Sequence, residues 1–164
     1  MREYFKKLKS YSPIRFILSV ALIAFFIKIP FGILGSIIVD LLHLNNPINL
    51  SVMQEPTLTI GDTILAVAIA PFIETLIGQI MPISLFMKVM KSKKWAIIIS
   101  AGVFMAFHYP VYEFFPSAFA IGALLSWAWI VKKDEIGHLR AFVMISLIHS
   151  LHNVLVALSS IILS

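Results

Sequence analysis

Four polar side chains of types that take part in catalysis lie inside long apolar stretches. Glu74 is the one charged residue of 63–87, His108 lies in 95–112, and His149 and Asn153 lie in 141–164. Carboxylate and imidazole groups can move protons, and amide groups can stabilise an oxyanion. An ionisable group in a spanning helix costs at least about 2.5 kcal/mol, so such residues indicate function.

Helical rise predicts that these side chains lie at one depth. Glu74 and His108 are each about 14 residues, or roughly 21 Å, from the lysine that bounds their stretch. Asn153 is roughly 20 Å from the arginine before it, and His149 is one turn shallower at roughly 14 Å. Three separate helices would therefore place polar groups at one level, which is the pattern of a site.

Spacing within each helix supports this arrangement. His149 and Asn153 are one turn apart and share a helix face, and Phe104 stands in the same relation to His108. An aromatic ring is therefore expected one turn from the His108 imidazole.

Other polar residues in these stretches have structural explanations. A single histidine or asparagine in a membrane helix often bonds to a neighbouring helix. His152 points elsewhere than Asn153 and is predicted to be structural. Residues near predicted helix ends are expected to be interfacial; these are His43, His138, Asp40 and Glu113. Two tryptophans before a basic pair, Trp127 and Trp129, fit an aromatic belt.

The composition explains why apolar stretches dominate the sequence. The chain has 164 residues, of which 60% are hydrophobic and 13% are charged, and its mean hydropathy is +0.97. A soluble fold of this size could not bury so much apolar surface. The net charge of +5 comes from short clusters between apolar runs, so a nucleic-acid partner is rejected. Without cysteine, disulfides and thiolate sites are excluded.

The predicted fold is an all-α, polytopic transmembrane helix bundle forming a single domain over 1–164. A straight helix over 13–44 would be roughly 48 Å long, against an apolar core of about 30 Å. A kinked or interfacial helix is therefore predicted at 31–44. The five predicted spans are 14–29, 63–87, 95–112, 114–131 and 141–164.

Basic residues predict the topology. They cluster at 1–15, 88–94 and 132–140, whereas 45–62 and 110–117 contain no Lys or Arg. The positive-inside rule then places the N-terminus in the cytoplasm and the C-terminus outside. The basic start followed by an apolar run is interpreted as an uncleaved signal anchor.

Three motifs follow one another along these helices. The segment 70–79 reads Ala-Pro-Phe-Ile-Glu-Thr-Leu-Ile-Gly-Gln, 104–108 has the form Phe-x-x-x-His, and 149–153 has the form His-x-x-x-Asn. Together they resemble the CPBP family of CAAX proteases and bacteriocin-processing proteins, also called the Abi family. That family is related to the Rce1 prenyl-protein protease. The resemblance covers about 63–157.

The first motif departs from the family pattern Glu-Glu-x-x-x-Arg at two positions. Thr75 stands where the family has its second glutamate, and Gln79 stands where it has arginine. The family's base is retained as Glu74. Thr75, Gln79 and Phe104 are accordingly interpreted as supporting residues.

The resemblance implies an intramembrane endopeptidase that cleaves a peptide or membrane-protein substrate, in a prokaryotic plasma membrane. Glu74 would activate water and His108 would help to hold it. His149 and Asn153 would donate hydrogen bonds to the oxyanion.

Three alternatives remain open at this stage. The mechanism is expected to need no cofactor, but Glu74, His108 and His149 could form a zinc set with an open position. The changes at Thr75 and Gln79 could mark a non-catalytic membrane regulator or immunity protein. A transporter or a bis-histidine haem protein is the third alternative, although the repeats expected of a transporter are not found.

Overall fold

A computed structural model describes residues 7–8, 10–44, 61, 64–109 and 111–163. Within these residues the chain forms five main helices. They are α1 (Pro13–Leu41), α2 (Leu65–Met90), α3 (Lys93–Ala106), α4 (Phe115–Ile136) and α5 (His138–Leu163). A single 3₁₀ turn, Tyr112–Phe114, leads directly into α4. The predicted all-α fold is confirmed.

Four of these segments are long and apolar enough to cross a membrane. They are α1, α2, α5, and α4 together with its 3₁₀ turn. The chain is therefore an integral membrane protein, as its composition predicts. The fifth predicted span, 95–112, is shorter in the structure, because α3 ends at Ala106 after 14 residues. The sequence has a proline at position 110, and a helix that continued through a proline would bring its ring against the carbonyl four residues before it.

The first helix is longer than predicted. The expected span over 14–29 and the expected separate helix at 31–44 are two parts of one helix of 29 residues, with Pro30 inside it. A proline removes one backbone hydrogen bond. In a membrane no water is present to take over the freed groups, so the chain keeps its helical bonds on either side.

Two prolines shape α2. Wide π-helical turns at Leu65–Ile69 and Thr75–Ile80 flank the short α-helical segment Ala70–Glu74. Pro71 and Pro82 each stand two residues after a π segment. Because proline has no N–H, the regular hydrogen-bond ladder cannot run past it. The ladder shifts by one residue instead, and π turns of this kind are frequent at functional sites.

The helices pack into one bundle around α4. This helix contacts α1, α3 and α5, while the second half of α2 packs against α3 and its first half packs against α5. Small residues allow close contact: a Cβ added at Gly35 would overlap the carbonyl oxygen of Glu113. That contact fixes the second half of α1 against the 3₁₀ turn.

Candidate active site

Glu74 and His149 face one another across α2 and α5. The carboxylate Oε2 lies 3.6 Å from Nε2 of the imidazole. This separation is too long for a direct hydrogen bond, and a water molecule can bridge groups at such distances. The glutamate side chain is 33% exposed, whereas that of the histidine is only 4% exposed. The carboxylate can therefore be reached from outside the protein, whereas the imidazole is held in the protein interior.

The second ring nitrogen of His149 is held by Thr75. Its Oγ1 lies 3.4 Å from Nδ1, and the threonine is completely buried. The imidazole also has the backbone of Pro71 as a hydrogen-bond partner. When Nε2 carries the proton, the ring points a hydrogen towards the glutamate and accepts from the Thr75 hydroxyl at Nδ1. When Nδ1 carries the proton, the roles at that nitrogen are reversed.

His108 lies in the turn that follows α3, and not within a span as predicted. Its Nδ1 donates to the backbone carbonyl of Phe104 at 3.1 Å. With Nδ1 protonated, Nε2 keeps a free lone pair. The imidazole is also near enough to Glu74 for the two groups to interact electrostatically. His108 can therefore accept a hydrogen bond from a water molecule next to the glutamate.

Phe104 positions both imidazoles. Its ring centroid lies 5.0 Å from that of His108 and 5.4 Å from that of His149. Two glycines leave room for the ring: a Cβ on Gly78 would lie 3.4 Å from one edge, and a Cβ on Gly122 would lie 3.0 Å from the other. The aromatic ring expected one turn from His108 is therefore present, and it contacts the second histidine as well.

Asn153 holds the first π turn of α2. Its Nδ2 donates to the carbonyl oxygen of Ala66 at 3.2 Å. In that turn the N–H of Ala70 donates to the carbonyl oxygen of Leu65, five residues before it. The donor for the carbonyl of Ala66 would then be Pro71, which has no N–H. The asparagine supplies the missing donor. The second N–H of its amide is left for another acceptor.

Thr75 and Gln79 do not pair with each other. Gln79 is 1% exposed, and neither amide atom has a hydrogen-bond partner among the described residues. Its backbone carbonyl accepts from Ser100 Oγ at 3.0 Å, and Ser126 Oγ donates to Ser100 at the same distance. This chain of hydrogen bonds joins α2, α3 and α4 beneath the site.

A cavity of about 270 Å³ lies beside these groups. His108, His149 and Asn153 border it, as the depth estimate predicts, whereas Glu74 is not part of its lining. The glutamate reaches this region through its contact with His149. The structure thus brings all four predicted residues together, with three on the cavity wall and one next to it.

Two further ionisable residues of the wall are absent from the predicted site. Lys28 borders the cavity from α1, and His152 borders it together with Asn153. His152 is predicted to point elsewhere than Asn153, whereas in the structure both residues border the cavity. The sequence does carry a signal for Lys28. It lies about 15 residues, or roughly 22 Å, from the start of α1, which is the depth of Glu74 and His108.

The zinc alternative can be compared with the positions of its residues. Among the residues that the structure describes, no three His, Asp or Glu side chains are grouped so that they could share an ion. Nδ1 of His108 is bonded to a carbonyl, so Nε2 is the nitrogen of that ring that remains for a ligand. The zinc set of Glu74, His108 and His149 stays an alternative prediction.

Comparison with known protein families gives a match over most of the chain. The sequence profile of the family described as type II CAAX prenyl endopeptidase Rce1-like matches residues 56–155. Neither the curated proteins nor the solved structures give a match to the chain. The matched range spans α2 to most of α5 and contains all three motifs. The chain therefore belongs to the Rce1-like family of CAAX prenyl endopeptidases.

Proposed function

We propose that the protein is an intramembrane endopeptidase that hydrolyses a peptide bond with water activated by Glu74. The observation that carries the proposal is the 3.6 Å approach of the Glu74 carboxylate to Nε2 of His149. In this mechanism the proton of His149 is on Nε2, and the Thr75 hydroxyl, 3.4 Å from Nδ1 on the far side of the ring, donates to Nδ1. A proton acceptor and a hydrogen-bond donor thus face the same small volume, which peptide hydrolysis requires.

Each step can be assigned to a side chain. A water molecule between the carboxylate and Nε2 of His108 loses a proton to Glu74, and its oxygen attacks the carbonyl carbon of the substrate. The carbonyl oxygen becomes negative and accepts hydrogen bonds from His149 Nε2–H and the second N–H of Asn153. Glu74 then returns the proton to the leaving nitrogen as the C–N bond breaks. Atoms and charge balance without a metal.

The test is proteolysis by the full-length protein in lipid vesicles. The probes are quenched fluorogenic peptides of apolar sequence, each with and without a prenyl group on a cysteine. Glu74→Gln keeps the size of the side chain but cannot take the proton. The rate is expected to fall by at least ~100-fold, which is typical of a lost general base. Glu113→Gln makes the same chemical change outside the site and should leave the rate unchanged.

Chelators distinguish this mechanism from a zinc enzyme. A zinc protease would lose activity in a strong chelator and regain it with added metal, whereas the glutamate mechanism predicts no change. Full activity of a folded Glu74→Gln protein would refute the glutamate mechanism. The regulator suggested by Thr75 and Gln79 predicts a different outcome. The wild-type protein would then cut none of the probes, and Glu74→Gln would preserve its phenotype in cells.

A further inference from the structure

Lys28 belongs to the inner face of α1. It is the one charged residue in the sequence between Arg15 and Asp40. The buried positions of α1 include Ala24 and Gly35, four residues before Lys28 and seven after it. These spacings put all three on one face of a helix. The lysine therefore faces the bundle, and it does so from a helix that lies outside the family match at 56–155.

No carboxylate neutralises this lysine within the part of the chain that the structure describes. The ion pairs there join Lys132 to Glu135, Lys133 to Asp134 and His149 to Glu74. The neighbour of the ammonium group is an aromatic ring: Nζ lies 5.8 Å from the centroid of Phe114. This distance is within the range of a cation–π contact, which holds the charge without cancelling it.

The wall of the cavity next to Lys28 contains basic and polar side chains and no carboxylate. Its polar wall residues are Lys28, Ser117, His108, His149, His152 and Asn153. His152 is 5% exposed, and its Nδ1 has no hydrogen-bond partner among the described residues. The remaining wall is apolar, and it includes Ala66, Val67, Ile121 and Val156. The wall is thus suited to an apolar molecule that carries a negative charge.

We propose that Lys28 makes this cavity a subsite for a carboxylate of the peptide substrate. An ionised group at membrane depth is retained where it meets an opposite charge, and a carboxylate is the anion that a peptide itself can supply. The inference rests on the proposed protease function, since His149 and Asn153 border the same cavity. A carboxylate bound at Lys28 would place the neighbouring peptide carbonyl close to the oxyanion donors. Lys28 would then select substrates without taking part in the chemical step.

The carboxylate could be the C-terminus or an Asp or Glu side chain, and two probe pairs distinguish these sources. The two peptides of the first pair have the same sequence, and one ends in a free carboxylic acid whereas the other ends in an amide. The two peptides of the second pair both end in an amide, and one has Asp near the cleavage site where the other has Asn. For one of these pairs, the wild-type protein should cleave the acidic member with a kcat/KM at least ~10-fold higher than that of the neutral member. The difference should lie in a lower KM and not in kcat. In Lys28→Met that preference should disappear, and the neutral member should be cut as before.

Two variants control for charge and folding. Lys28→Arg keeps the charge and should retain most of the preference. Lys88→Met removes the same group from the exposed last turn of α2 and should change nothing. Thermal unfolding of each purified variant shows whether it is folded. An Lys28→Met protein that still prefers the acidic probes would overturn the proposal, and so would one with kcat lowered equally for both members of each pair.

A binding measurement separates this inference from the proposed function. Glu74→Gln protein in vesicles is titrated with the same fluorescent peptides at fixed ionic strength. The subsite predicts that the acidic member binds more tightly and that the Glu74→Gln, Lys28→Met double variant loses this difference. That result supports the subsite whether or not cleavage depends on Glu74. Equal binding of acidic and neutral members to the Glu74→Gln protein would refute the subsite, even if the protein is a protease.

Discussion

Thr75 Oγ1 lies 3.4 Å from Nδ1 of His149, on the side of the imidazole that faces away from Glu74. The position that holds a second glutamate in the CPBP pattern thus carries a neutral hydroxyl that contacts a histidine of another motif. The hydroxyl can donate one hydrogen bond, which is sufficient to select the tautomer of the ring. Thr75 can therefore help to position His149, although it lacks the carboxylate of the family pattern.

The first prediction concerns this contact. Thr75→Val keeps the shape of the buried side chain but removes the donor, so both tautomers of His149 become accessible. We expect kcat to fall about 10- to 100-fold, as for other residues that orient a ligand or donor through one hydrogen bond. Thr75→Ser restores the hydroxyl and should recover most of the activity. Equal activity of the Val and Ser variants would show that the hydroxyl does not position the ring.

The second prediction separates two roles of Asn153. Asn153→Ala removes an oxyanion donor, which should lower kcat by about 10²- to 10³-fold. It also leaves the Ala66 carbonyl without its donor, at a cost of about 1–3 kcal/mol in the free energy of unfolding. Pro71→Ala would supply a backbone N–H five residues after Ala66, where the π turn needs one.

The double variant Asn153→Ala, Pro71→Ala should therefore regain thermal stability relative to Asn153→Ala, while its activity stays low. Thermal unfolding in detergent and peptide cleavage in vesicles measure the two effects independently. A double variant that is no more stable than Asn153→Ala would mean that the missing N–H of Pro71 is not what Asn153 replaces.

Helical rise and motif spacing predict which residues meet in this site. The estimate that Glu74, His108 and Asn153 lie at one depth rests on a rise of 1.5 Å per residue, and the structure groups these residues at and beside one cavity. The contact of Phe104 with His108 follows from their separation by one turn. These two estimates need only the approximate rise and turn of a helix, so the π turns of α2 do not remove them.

Contacts between helices could not be predicted from the same rules. The single sequence does not show that Lys28 of α1 and His152 of α5 share a cavity, because that depends on how two helices are rotated against each other. The end of α3 at Ala106 could not be read from the position of a proline alone, because Pro30 leaves α1 unbroken. The π turns of α2 shift its register, so the partner of Thr75 could not be deduced from a regular helix.

The third prediction concerns the space around Phe104. In Gly122→Ala the new Cβ would lie 3.0 Å from the Phe104 ring and 3.2 Å from the backbone of Ala101. The ring must move, and overpacking of this kind costs about 1–3 kcal/mol. Because the ring contacts both imidazoles, cleavage should slow as well. Gly102→Ala, in the same helix as Phe104, meets nothing within 4 Å and should leave stability and activity close to wild type.

The last prediction concerns Gln79, whose amide is buried without a hydrogen-bond partner among the described residues. Gln79→Met has a similar volume and no polar atoms that need partners, so it should unfold at the same temperature as wild type or higher. Gln79→Arg places an unpaired charge at the same point and should destabilise the protein strongly, by about 3–5 kcal/mol.

Adding Thr75→Glu to Gln79→Arg supplies a carboxylate one helical turn away, on the same face of α2. The double variant should therefore unfold at a higher temperature than Gln79→Arg, because the buried arginine gains a partner. Thr75→Glu also removes the hydroxyl that contacts His149, so the gain in stability need not restore cleavage. Equal unfolding temperatures for Gln79→Arg and the double variant would show that positions 75 and 79 do not interact across the π turn.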